Sequence, residues 1–161
     1  MPVLLLLVSV AEQAEMHLVT MSERVAVLRD KLEKGILEKV DHAFATGNPE
    51  NRVPNTSNIA FEYVEGEGIL MLLNECGIAA SSGSACTSGS LEPSHVMQAM
   101  GIPYTVAHGT IRFSLSRYTT ERDIDKVIEV LPPIIERLRT FSPYWKDGKP
   151  AAVDSFTPGF S

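Results

Sequence analysis

One thiol sits in a run of small side chains, Ser81-Ser82-Gly83-Ser84-Ala85-Cys86-Thr87-Ser88-Gly89-Ser90, in which nine of ten residues are Ser, Gly, Ala or Thr. No apolar stripe surrounds Cys86, so it is not set up as a small buried hydrophobe. The run is too rich in Gly and Ser for a helix and too small-sided for a core strand. It reads as a loop carrying one sulfur, able to meet a substrate at one end of its swing and a partner at the other. A thiol there becomes a nucleophile only with a lowered pKa or an adjacent base; a linker with an incidental cysteine is the other reading. The second residue with chemistry in it is Arg112. Ile111, Phe113 and Leu115 alternate with Arg112, Ser114 and Ser116, which turns the guanidinium away from the apolar face of a strand. A planar guanidinium suits two-pronged binding of a carboxylate, whether a ligand's or a neighbouring side chain's.

Other candidates are weaker. Cys76 follows an apolar segment and reads as packing, hence buried. His108 either polarises a nearby group or caps a strand start. Asn58 is a site residue or a strand-edge amide, and His95 reads as a surface residue. His17, His42, His95 and His108 show no zinc spacing with the cysteines, so no metal site is expected.

These residues need elements to hold them. Leu18, Met21, Val25, Leu28 and Leu32 recur at helical spacing, so residues 11–38 read as a long amphipathic helix that frays near Gly35. Residues 41–45 read as a short strand, followed by a turn at Gly47-Asn48-Pro49. Ile59, Phe61 and Tyr63 alternate as in a half-buried strand. Residues 66–74 read as a short buried helix stopped by Gly77, and Ile78-Ala79-Ala80 as a strand entering the cysteine loop. Pro93 suits the first turn of a helix ending near Gly101. Thr120 and Asp123 form an acidic capping box. The helix it opens has the apolar face Ile124, Val127, Ile128, Leu131, Ile135 and Leu138. Pro132-Pro133 is expected to kink or split that helix.

Length and composition bound the rest. The chain has 161 residues, 44% hydrophobic and 21% charged, with a net charge of −6, which is ordinary for one globular domain. Without a basic stretch, a nucleic-acid surface is not expected. Two cysteines are too few for a secreted disulfide framework, which favours a reducing compartment, the cytoplasm. Residues 1–10 are apolar, too short to span a bilayer, and lack the basic start of a secretory signal. A buried segment, a short signal-like core and a junction with a missing upstream portion all stay open, and no membrane partner is expected. Residues 11–145 form the expected domain and 146–161 a mobile tail.

The segments Ala79-Ala80-Ser81-Ser82-Gly83-Ser84-Ala85-Cys86-Thr87-Ser88-Gly89-Ser90-Leu91-Glu92-Pro93 and Ala107-His108-Gly109-Thr110-Ile111-Arg112-Phe113-Ser114-Leu115-Ser116-Arg117 closely resemble the C-terminal small domain of NifS-type cysteine desulfurases. So do Ser142-Pro143-Tyr144-Trp145 and, upstream, Arg52-Val53-Pro54-Asn55-Thr56-Ser57-Asn58 and Val64-Glu65-Gly66-Glu67-Gly68. These enzymes are related to class V aminotransferases. The likeness runs over residues 11–145. It implies an α/β fold with a small mixed or antiparallel sheet covered by helices, like the C-terminal domain of fold-type I pyridoxal-phosphate enzymes.

The resemblance also implies a function. L-cysteine is converted to L-alanine with pyridoxal phosphate as electron sink. Cys86 takes the sulfur as a persulfide, and an iron–sulfur scaffold accepts it for cluster assembly, as in nitrogen fixation. Arg112 matches the arginine that holds the substrate carboxylate. Full-length relatives are homodimers. Acceptor contact is expected near Tyr144 and Trp145, and the chain by itself is expected to be sticky. The large domain that carries the Schiff-base lysine and the phosphate ligands has no counterpart here. Lys31 and Lys39 lie on a helix face, and no cofactor-binding residue is assigned in this chain. The chain is therefore expected to be the sulfur-handling portion of such an enzyme, inactive alone. The alternative is a non-enzymatic sulfur-carrier or interaction module, and visible absorbance from bound cofactor separates the two.

Overall fold

The computed structural model describes residues 2–82, 96, 99–102 and 104–151. The elements run α1 Pro2–Leu37, β1 Ala43–Ala45, β2 Thr56–Phe61, α2 Gly66–Glu75, β3 Ser81–Ser82, α3 Tyr104–Ala107, β4 Thr110–Ser114, α4 Glu121–Arg139, β5 Trp145–Lys146 and β6 Lys149–Pro150. Four strands form one sheet in the order β1-β2-β4-β3, and every pair is antiparallel. The strands around Ile59 and Ile111 are neighbours in this sheet, and these two residues face each other in register.

Helices cover one face of the sheet. Ile59, Phe61, Ile111 and Phe113 point into a core shared with Val25, Leu28, Leu32 and Ile36 of α1, Ile69 and Leu73 of α2, and Ile124, Val127, Leu131 and Ile135 of α4. The apolar stripe read along α1 enters this core only from Met21 onward. Leu18 is 56% exposed, because the sheet lies under the C-terminal half of the helix and α1 runs past it. Helix α1 also begins at Pro2, so the apolar first residues continue the helix backbone. Gly35 is not a fraying point. A Cβ there would meet Ile128 Cδ1 at 2.5 Å, so the missing side chain lets α1 and α4 approach.

The capping box of α4 forms as expected. Thr120 Oγ1 accepts from the Asp123 amide at 3.3 Å, and Asp123 Oδ2 accepts from the Thr120 amide at 2.8 Å. Pro132 and Pro133 do not split this helix, which is continuous from Glu121 to Arg139. The prolines forfeit two amide donors, but Ile128 and Leu131 before them and Ile134 and Ile135 after them are all buried. Core packing on both sides outweighs the local loss.

Three further expectations differ from the structure. Ile78-Ala79-Ala80 is not a strand; pairing begins at Ser81, while Ile78 and Ala80 pack against the core. Tyr63 lies beyond β2, with φ 67°. The stretch after Trp145 opens with an antiparallel hairpin, β5 with β6. Arg139 ties that hairpin to the fold. It is 4% exposed and donates to the carbonyls of Asp41 (2.7 Å), His42 (3.2 Å) and Glu62 (3.3 Å), and its guanidinium stacks 4.6 Å from the Trp145 ring centre. Burial pulls its pKa below the ordinary arginine value.

Candidate functional site

Among the described residues, the second face of the sheet carries no long helix. Residues opposite each other across an antiparallel ladder point the same way, so Asn58 on β2, Arg112 on β4 and Ser81 on β3 form one row across this face. The next row, Ala60 and Thr110, is buried beside α3, where Thr110 Oγ1 donates to the Ala107 carbonyl at 2.8 Å. The row with Arg112 is open. The Arg112 side chain is exposed and makes no hydrogen bond or ion pair with any described residue.

Asn58 is half-buried. Its Nδ2 donates to Thr46 Oγ1 at 2.7 Å, and its buried Oδ1 accepts no hydrogen bond. Thr46 had no signal in the sequence beyond its place before a Gly-Asn-Pro turn. Ser81 ends in the row and the chain then enters the cysteine segment. Cys86, like His95 and Pro93, lies outside the described residues. His108 is half-buried at the turn between α3 and β4, where its carbonyl accepts from the Gly66 amide at 2.9 Å. It joins the α3 end rather than the open row. Cys76 is half-buried, not fully buried, at the C-cap of α2, and its carbonyl accepts from Lys126 Nζ at 2.6 Å.

The loop that precedes β2 is held by a polar clamp that sequence reasoning missed. Arg52 forms two hydrogen bonds to Glu33 on α1 (2.6 and 3.0 Å), and Ser57 Oγ donates to Glu33 at 2.6 Å. Burial alone would push the Glu33 carboxyl up, but the bonds from Arg52 and Ser57 overcome it and hold the group below 4.5. The same pairing raises the Arg52 pKa.

The open face fits a carboxylate better than it fits a whole pyridoxal phosphate. A Schiff base needs a lysine amine, and none of the six lysines stands on β1–β4. Lys31 pairs with Asp125 at 2.6 Å, Lys34 with Glu38 at 3.8 Å and Lys126 with the Cys76 carbonyl; Lys39 follows α1, and Lys146 and Lys149 belong to the hairpin. Among the described residues no group of three or more His, Cys, Asp or Glu could hold a metal, and no helix is long and apolar enough to cross a membrane.

This helix-backed antiparallel sheet is similar in fold to a solved NifS-like protein. The match has a TM-score of 0.67 at 29% identity, over 79% of this chain and 31% of that one. The family model for class-V aminotransferases matches residues 4–127, and the chain belongs to that family. It is 67% identical over 140 residues to the cysteine desulfurase NifS of Azotobacter vinelandii, covering 87% of this chain and 35% of that protein. It is 62% identical over 148 residues to a cysteine desulfurase of Klebsiella pneumoniae, covering 91% of this chain and 37% of that protein. The chain thus spans about a third of the length of these relatives.

Proposed function

We propose that this chain supplies the carboxylate-binding and sulfur-accepting groups of a cytoplasmic, pyridoxal-phosphate-dependent cysteine desulfurase. Arg112 holds the carboxylate of L-cysteine through paired N–H···O bonds. The Cys86 thiolate attacks the substrate sulfur. An S–S bond forms, the substrate Cβ–S bond breaks, the carbon takes up a proton, and L-alanine leaves with the sulfane sulfur held on Cys86 as a persulfide. Pyridoxal phosphate, when bound, supplies the electron sink that labilises the substrate. The persulfide then passes to an iron–sulfur scaffold protein for cluster assembly in nitrogen fixation, in a homodimeric enzyme.

The observation that carries this reading is the register of Ser81 with Arg112. Cys86 follows Ser81 by five residues, so chain geometry keeps its Cα within about 18 Å of that row. The relatives named cysteine desulfurase add weight.

The test is a chimera in which this chain replaces the matching third of the Azotobacter vinelandii relative. The chimera is expected to release alanine from L-cysteine. Cys86→Ala is expected to abolish persulfide transfer and leave the cofactor colour intact, and Arg112→Ala to raise KM for L-cysteine by about tenfold or more. Undiminished persulfide transfer by Cys86→Ala would overturn the assignment. The absence of a lysine on the strands favours a second reading, a sulfur carrier without cofactor chemistry. A colourless chimera that accepts persulfide on Cys86 but releases no alanine would select it.

A further inference from the structure

Asn58 Oδ1 is buried and unpaired. Thr46 establishes which end of the amide this is. The Thr46 hydroxyl donates its single proton to the Asn58 backbone carbonyl at 3.2 Å, so it can only accept from the side-chain amide, as it does at 2.7 Å. Nδ2 therefore faces the β1 side, and the oxygen is the end left without a partner. The residue directly across the ladder on the other side is Arg112, whose five N–H donors have no partner among the described residues. Opposed Cβ atoms in such a pair lie about 5 Å apart, well inside the reach of an arginine side chain. A buried acceptor without a donor is costly, and a hydrogen bond from a charged donor is among the stronger ways to relieve it.

We propose that Asn58 Oδ1 accepts a hydrogen bond from the Arg112 guanidinium and thereby sets the plane in which the remaining N–H groups meet a substrate carboxylate. One N–H given to Asn58 leaves four, enough for a two-bond fork. Asn58 is thus a positioning residue that acts through Arg112, with Thr46 holding the amide from behind. The consequence for substrate rests on the reading of Arg112 as the carboxylate holder; the contact itself does not.

Nitrogen-15 NMR on the full 161-residue chain tests both parts. Rotation of the Arg112 guanidinium is expected to be slower than that of exposed Arg122, and Asn58→Ala to bring it to the Arg122 rate. Asn58→Asp, which keeps an acceptor, is expected to preserve slow rotation, with the β2–β4 amide resonances reporting that each variant is folded. In a titration with L-alanine, Asn58→Ala is expected to weaken binding about tenfold, the effect of one bond to a charged donor, while Arg112→Ala removes saturable binding. Arg112 rotating as freely as Arg122 in the unaltered chain, or unchanged by Asn58→Ala, would overturn the proposal. Absent L-alanine binding by the unaltered chain, or binding unaffected by Arg112→Ala, would instead overturn the carboxylate reading, with the rotation data still deciding Asn58.

Discussion

Ser81 and Arg112 are direct partners across the β3–β4 ladder. Thirty-one positions of chain separate them, yet the strand pairing sets the start of the cysteine segment beside the one arginine of the open sheet row. Arg112 is flanked on its other side by Asn58. Polar side chains line this row, whereas the opposite face of the same strands carries Ile59, Ile111, Phe61 and Phe113.

The two cysteines should differ in reactivity. Cys76 is half-buried at the end of α2, and Cys86 sits in a segment of small side chains. Under limiting thiol reagent, Cys86 is expected to be modified first by at least severalfold, as read by peptide mass mapping. Faster modification of Cys76 would reverse the assignment of the nucleophile.

Arg139 should matter out of proportion to its surface. Replacing it with alanine removes the arginine donor from the carbonyls of Asp41 and Glu62, leaves that of His42 with the Glu62 amide alone, and unstacks Trp145. The expected loss is about 3 kcal/mol. Trp145 is the only tryptophan, so its fluorescence reports the site directly. Arg139→Lys, with one nitrogen in place of three, should fall between. An unchanged urea midpoint and emission spectrum in Arg139→Ala would refute the clamp.

Acid should weaken the fold through two carboxylates. Glu33 is held below 4.5 by Arg52 and Ser57 against the opposing effect of burial, and Asp123 below 3.8 by the Thr120 amide and hydroxyl. A group with a depressed folded pKa binds fewer protons folded than unfolded. Its stabilisation is complete above those ordinary values and is lost as pH falls through the lowered folded ones. Urea midpoints should therefore drop as pH falls below about 4.5, less steeply in Arg52→Met, where the main partner of Glu33 is gone. Equal slopes in the two proteins would show that the Glu33–Arg52 pair contributes nothing.

Two glycines separate crowding from backbone conformation. A Cβ on Gly109 would overlap the Phe61 carbonyl oxygen and come within 2.9 Å of that of Val64, whereas Gly148 has open space around it and φ 73°. Gly109→Ala is expected to cost about 3 kcal/mol or more, because backbone must move. Gly148→Ala should cost about 1 kcal/mol, from left-handed backbone alone. Thermal unfolding of the two variants decides, and a Gly109→Ala protein as stable as Gly148→Ala would exclude the close approach.

What the amino-acid order determined by itself is whatever depends on neighbours a few positions apart. The alternation through Ile111, Phe113 and Leu115 placed Arg112 outward, the Thr120–Asp123 pair announced the start of α4, and Gly77 closed α2, because side-chain period and capping are local geometry. Tertiary structure decided the rest. Which residues stand beside Arg112 depends on strand register between positions 58, 81 and 112, and no short window of sequence contains it. Continuous helix through Pro132-Pro133, the contact at Gly35 and the burial of Arg139 are likewise set by what packs on the far side. A local penalty, a missing side chain or a buried charge acquires its meaning only from the partner that folding brings to it.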